Sequence, residues 1–286
     1  MKLQGVFVPL VTPFLNDKVD FAAYQKMIDY YIDKGISALI PLGTTGESPT
    51  VSDCEYEEII AKTMEFNNNR VPVYVGIGGN NTYKVIEQVS LAEKYKLNGI
   101  LSVCPYYNRP SQEGIYQHFL KVSESTDTEI IVYNIPYRTG KNIENDTIRR
   151  LAELKNIVAL KDSCGDIKQT TELLLNPPKD FSILTGEDAL FYTTLTLGGD
   201  GGILASSHLK TEVFMQVFNA VKDNNHQLAL EKWKSIANFI PLLFGEPNPA
   251  PIKYCLSKMG VIRSGEVRLP LTEISESLKA KLNAVL

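Results

Sequence analysis

Histidine is scarce in this 286-residue chain, with only His118, His208 and His226, far apart from one another. The four cysteines, Cys54, Cys104, Cys164 and Cys255, are equally scattered. They form no C-x-x-C pair and have no histidine nearby. A zinc site needs tighter ligand spacing, and a disulfide framework needs a smaller, cysteine-dense chain, so four free thiols are expected. Basic residues are not in excess: 29 Lys+Arg stand against 33 Asp+Glu, a formal charge of −4. That balance argues against a nucleic-acid or anionic-membrane surface, which needs clustered cations. No apolar run reaches the roughly 18 to 20 residues that span a bilayer. The opening Met1-Lys2-Leu3-Gln4-Gly5-Val6 has one basic residue, a short apolar run and no small-residue cleavage site. It reads as a mature cytoplasmic start, not a signal peptide.

Short apolar runs are abundant. Val6–Leu10, Ala38–Leu42, Val71–Ile77, Gly99–Cys104, Ile130–Asn134, Val158–Lys161, Ser182–Thr185 and Gly202–Ala205 are near-continuous in Val, Ile, Leu and Tyr. Continuous rather than alternating hydrophobicity predicts strands buried on both faces, as in a parallel sheet. Amphipathic stretches separate them. Phe21–Lys34 places apolar residues at a 3.6-residue period, and Ser52 with Glu55 makes a capping box for a helix through Phe66. Tyr83–Tyr95, Gln112–Ser123, Asn145–Leu154, Ile167–Leu175 and Asp188–Leu197 follow the same pattern. Eight βα units fit an α/β (β/α)8 TIM barrel. A doubly wound sheet is the alternative, but Pro9-Leu10-Val11-Thr12-Pro13 after the first strand cannot be a dinucleotide fingerprint. Glu212–Lys222 is the expected eighth barrel helix. Asn225–Leu243, Pro249–Met259 and Leu271–Asn283 then read as a helical extension. The expected division is a catalytic barrel over 1–223 and a C-terminal extension over 224–286.

In such a barrel, chemistry sits at the C-terminal ends of the strands. Lys161 ends the apolar strand Ile157-Val158-Ala159-Leu160. Burial there lowers a lysine pKa, and a neutral amine can condense with a ketone to an iminium. The plainer alternative is a barrel-lining lysine paired with Glu187 or Asp162. Tyr133 ends the preceding strand and can shuttle protons if its pKa is lowered; most strand tyrosines are simply core. Gly43-Thr44-Thr45-Gly46 offers two hydroxyls and turn N–H groups suited to a carboxylate, or an ordinary turn. Arg138 can hold a carboxylate bidentately, or be merely solvated. Gly198-Gly199-Asp200-Gly201-Gly202 lacks phosphate-loop spacing and reads as backbone clearance.

Taken together, Gly43-Thr44-Thr45-Gly46-Glu47-Ser48, Tyr133-Asn134-Ile135-Pro136 and Lys161 resemble the dihydrodipicolinate synthase / N-acetylneuraminate lyase superfamily of class I aldolases, nearly end to end. Pro105-Tyr106-Tyr107-Asn108-Arg109-Pro110 and Arg138-Thr139-Gly140 are similar to its synthase branch. The resemblance implies a covalent pyruvate iminium on Lys161 and no further cofactor or metal. It implies that Thr44 and Thr45 hold the pyruvate carboxylate, with Ile203 and Gly186 beside the adduct. Tyr133 is implied as general acid/base, in a relay with Thr44 and with Tyr107 donated across a subunit interface. Arg138 is implied to bind the carboxylate of L-aspartate-4-semialdehyde, giving 4-hydroxy-tetrahydrodipicolinate for lysine and diaminopimelate synthesis. The family is usually a homotetramer, a dimer of dimers. Lysine-inhibited relatives carry histidines and an acid in an allosteric pocket; Lys84 stands at a matching position here, so weak or absent lysine inhibition is expected. Two other readings stay open: an aldolase releasing pyruvate from a 2-keto-3-deoxy sugar acid, and a catalytically silent barrel.

Overall fold

The computed structural model describes residues 2–286. It divides into two compact units: residues up to Gly5 with Val73–Ile203, and Val6–Pro72 with Leu204–Leu286.

In the first unit, six short strands alternate with helices. They are β3 (Tyr74–Gly76), β4 (Gly99–Val103), β5 (Glu129–Asn134), β6 (Ile157–Asp162), β7 (Ser182–Thr185) and β8 (Gly201–Ile203). Each pairs in parallel with the next. The register sets Val103 against Tyr133, Tyr133 against Lys161, and Lys161 against Leu184. The strands are almost wholly buried, which is why their sequences do not alternate. Helices α3 (Thr82–Glu93), α4 (Gln112–Glu124), α5 (Asn145–Leu151), α6 (Ile167–Leu175) and α7 (Phe191–Thr196) follow β3 to β7 in turn. Asn81, Ser111 and Asp166 cap α3, α4 and α6 by accepting free N–H groups of the first turn. The glycine-rich turn before β8 is backbone clearance, as expected. A Cβ on Gly201 would lie 2.1 Å from the Gly5 carbonyl oxygen, and one on Gly199 would lie 2.4 Å from Thr194.

The second unit holds the rest of β1 (Gly5–Val8), paired in parallel with β2 (Ala38–Leu39), and helices α1 (Phe21–Asp33) and α2 (Asp53–Asn67). The Ser52/Glu55 capping box opens α2 with both reciprocal bonds formed. Helix α8 (Thr211–Lys222) is followed by α9 (His226–Ala237), α10 (Ala250–Lys258) and α11 (Glu276–Asn283).

Eight strand–helix units with parallel pairing and a helical C-terminal segment give the (β/α)8 class expected from the sequence. Details differ. The helix expected over Asn225–Leu243 stops at Ala237, and a separate turn, Ile240–Leu243, starts around Pro241. Proline lacks the N–H that a continuous helix needs. The last helix starts at Glu276, not Leu271. Ser275 caps it, and the Glu246 carboxylate accepts the Ser275 N–H, holding that residue extended. A two-residue hairpin, Phe14–Leu15 with Lys18–Val19, was not expected; Asn16 and Asp17 supply its left-handed turn. No helix among the described residues is long and apolar enough to cross a membrane.

Candidate active site

Lys161 lies near the end of β6 and is 7% exposed. Its register partner on β5 is Tyr133, so adjacent strands present both residues to the same side. The Lys161 Nζ sits 4.1 Å from the centroid of the Tyr133 ring. That contact favours a cation at this nitrogen. Burial works against it, and burial is the larger influence. The Lys161 pKa falls to about 8, although Asp188 and Glu187 attract the charge through space; Arg138 pushes it lower still.

Asp162 is not the partner that would make Lys161 a purely structural cation. Its carboxylate accepts from the Thr170 hydroxyl at 2.5 Å and from the Cys164 N–H at 3.1 Å. Gly186, at the end of β7, donates its N–H to the Asp162 carbonyl at 2.7 Å. A Cβ there would stand 2.6 Å from the Lys161 Cε. Glycine at 186 therefore leaves the space that the Lys161 side chain occupies.

For Tyr133 the fold gives the direction that the sequence left open. Its pKa is raised, chiefly by burial and then by Tyr137, while Ser163 and Arg138 pull it down and Glu187 adds to the rise. The phenol is therefore held in its neutral form. Glu187 is likewise raised, by burial and then by Asp188.

Arg138 is exposed on the short helix Pro136–Thr139 and stacks 5.5 Å from the Tyr137 ring. Tyr107 is 88% exposed and left-handed, with φ of 72°. Ile203 is buried at the end of β8. Lys161, Tyr133 and Gly186 thus adjoin, with Arg138 near enough to act on both the amine and the phenol.

Thr44 and Thr45 belong to the other unit, in the 3-10 turn Thr44–Gly46. The turn is braced within its own unit. The Thr12 hydroxyl donates to the Gly46 carbonyl at 2.7 Å. The Asn248 amide donates to the Thr45 hydroxyl at 3.0 Å. Just beyond, Glu47 is left-handed and accepts from Lys253 at 2.7 Å, both side chains being fully buried. The Arg268 N–H donates to the same carboxylate at 3.0 Å.

Sequence reasoning missed Ser163 and Asn248. Ser163 is two residues past Lys161, and strand periodicity places it on the same face, a signal that was available. Its hydroxyl is buried without a hydrogen-bond partner, yet it lies close enough to Tyr133 and Glu187 to favour their ionised forms. Asn248 had no local signal, being 203 residues from Thr45. No group of three or more His, Cys, Asp or Glu among the described residues is arranged to hold a metal ion.

The model of the dihydrodipicolinate synthetase family matches residues 2–286. A 4-hydroxy-tetrahydrodipicolinate synthase 2 of Clostridium acetobutylicum is 63% identical over 286 residues, all of both chains. The dihydrodipicolinate synthase structure from Thermotoga maritima superposes with a TM-score of 0.96 at 39% identity, covering 100% of this chain and 98% of that one. A chloride-inhibited dihydrodipicolinate synthase from Acinetobacter baumannii, solved in complex with pyruvate, gives a TM-score of 0.96 at 35% identity, covering 99% and 98%.

Proposed function

This chain belongs to the dihydrodipicolinate synthetase family, and from that premise we propose that it condenses pyruvate with L-aspartate-4-semialdehyde to 4-hydroxy-tetrahydrodipicolinate, through an iminium on Lys161. The observation that carries the mechanism is the buried Lys161 amine, with a pKa of about 8, over the Tyr133 ring.

The neutral Nζ attacks the pyruvate ketone, and loss of water leaves a cationic iminium. The Tyr133 ring face and the nearby Asp188 and Glu187 charges stabilise that cation. The iminium withdraws electrons from the methyl carbon, which loses a proton to give an enamine. Tyr133 handles protons in a relay with Thr44 and with Tyr107 supplied across a subunit interface. Thr44 and Thr45 hold the pyruvate carboxylate, while Gly186 and Ile203 shape the space beside the adduct. The enamine carbon attacks the aldehyde, whose substrate is held by Arg138 through its own carboxylate. That substrate's amine then displaces Lys161 from the iminium carbon, closing the ring and freeing the enzyme. The chain works as a cytoplasmic homotetramer, a dimer of dimers, with no cofactor beyond the covalent pyruvate.

The test couples the reaction to a dihydrodipicolinate reductase and follows NADPH absorbance. A rate abolished by Lys161→Ala supports the reading. No rate, with pyruvate still trapped on Lys161 by borohydride, redirects the second substrate to an aldehyde from a 2-keto-3-deoxy sugar acid. No trapping at all overturns the iminium chemistry.

A further inference from the structure

The Asn248–Thr45 contact decides which way a hydroxyl proton points. Asn248 is 8% exposed, and its amide N–H donates to the Thr45 Oγ1 at 3.0 Å. A hydroxyl has one proton to give and two lone pairs that accept. With an N–H already on its oxygen, Thr45 keeps its proton for another acceptor, and among the described residues it donates that proton to none. Turned over, the Asn248 amide would accept from Thr45 and consume the proton. In this orientation the Asn248 Oδ1 is buried without a partner; turned over, the amide would leave its Nδ2 unpaired instead, so satisfying the amide gives no reason to turn it.

We propose that Asn248, from the C-terminal helical segment, is a positioning residue for pyruvate: it fixes the Thr45 hydroxyl as a donor toward the substrate carboxylate. This rests on the assignment of Thr45 to that carboxylate. The supports on either side of Thr45 are of a different kind. Thr12 takes the Gly46 carbonyl, and Lys253 and Arg268 take the Glu47 carboxylate. Those bonds hold the turn in place. Of these bonds, only the Asn248 one bears on the Thr45 proton.

The test compares Thr45→Val, Asn248→Ala, Asn248→Asp and the double variant Thr45→Val/Asn248→Ala. The readouts are kcat, KM for each substrate, and Tm. Asn248→Ala frees the Thr45 proton to turn away, and KM for pyruvate rises about tenfold, the effect of one hydrogen bond to a charged group. KM for the second substrate stays unchanged, and kcat at saturation changes by less than about threefold. The double variant is no worse than Thr45→Val alone, because Asn248 acts only through that hydroxyl. A general structural role would instead lower Tm and kcat and leave the two KM values moving together. If Asn248→Ala does not fold, the near-isosteric Asn248→Asp carries the test: its carboxylate accepts the Thr45 proton, and KM for pyruvate rises with Tm retained. Should Thr45→Val raise KM while the Asn248 variants do not, the inference falls and the carboxylate reading stands. Additive effects in the double variant also overturn it. An unchanged KM in Thr45→Val removes the carboxylate reading, and this inference with it.

Discussion

The depressed pKa of Lys161 can be tested on both activity and stability. With a pKa of about 8, roughly a quarter of the amine is neutral at pH 7.5, against roughly one part in a thousand for a lysine at its ordinary value. Burial therefore multiplies the reactive form roughly 200-fold. The initial rate of borohydride trapping of pyruvate, followed by mass spectrometry across pH 6 to 10, should rise with pH and level off near the Lys161 pKa. Asp188 is the strongest of the charges that raise this pKa, so Asp188→Asn moves the midpoint to lower pH. The same shift carries a stability cost of opposite sense to catalysis. The folded-state pKa lies below the unfolded one, so between about 8 and 10.5 the unfolded chain holds a proton that the folded chain does not. Burying this lysine thus destabilises the fold fully below pH 8, by about 3 kcal/mol, and the cost fades as pH rises to 10.5. Lys161→Met, similar in volume and uncharged, should be inactive yet more resistant to urea at pH 7, with the gain vanishing above pH 10.5. A trapping midpoint near pH 10, or a Lys161→Met variant no more stable than the parent at pH 7, refutes the reasoning.

Gly186→Ala puts a methyl 2.6 Å from the Lys161 Cε and 2.3 Å from the Ser163 hydroxyl. Displacing the flexible lysine end costs the fold about 1–3 kcal/mol but misplaces the amine, so trapping slows about 100-fold; a variant with normal trapping contradicts this. Glu47→Gln leaves the fully buried Lys253 ammonium without its counter-charge. Chemical denaturation should show a loss of about 3–5 kcal/mol, and a loss below about 1 kcal/mol would mean that Lys253 gives up its proton instead. Lys84 carries the same charge as the ammonium of lysine, so feedback by L-lysine should be weak; half-inhibition at sub-millimolar lysine overturns that expectation.

Much of this was legible in one dimension. Strands buried on both faces must be apolar at every position, so Ile157–Leu160 and its counterparts declared a parallel sheet, and the residue closing such a strand stood out because a charge there is costly. Capping is local too, and Ser52 with Glu55 fixed the start of a helix from four residues. The same strand rule located Lys161 and Tyr133 on neighbouring strand ends, although only the register between β5 and β6 sets the ring beneath the amine. The pKa directions were not legible. The direction for Tyr133 was open in the sequence, because burial depends on every neighbour; in the fold it outweighs the pull of Ser163 and Arg138. Nor could the chain reveal that Asn248 and Lys253 reach back to Thr45 and Glu47 across more than two hundred residues. Apolar periodicity is a property of a segment, and so the elements, their order and the lysine that closes a buried strand can be read along the chain. Which residues brace the Thr45 turn, and how burial moves a titrating group, depend on atoms brought together from distant segments, and those follow only once the chain has folded.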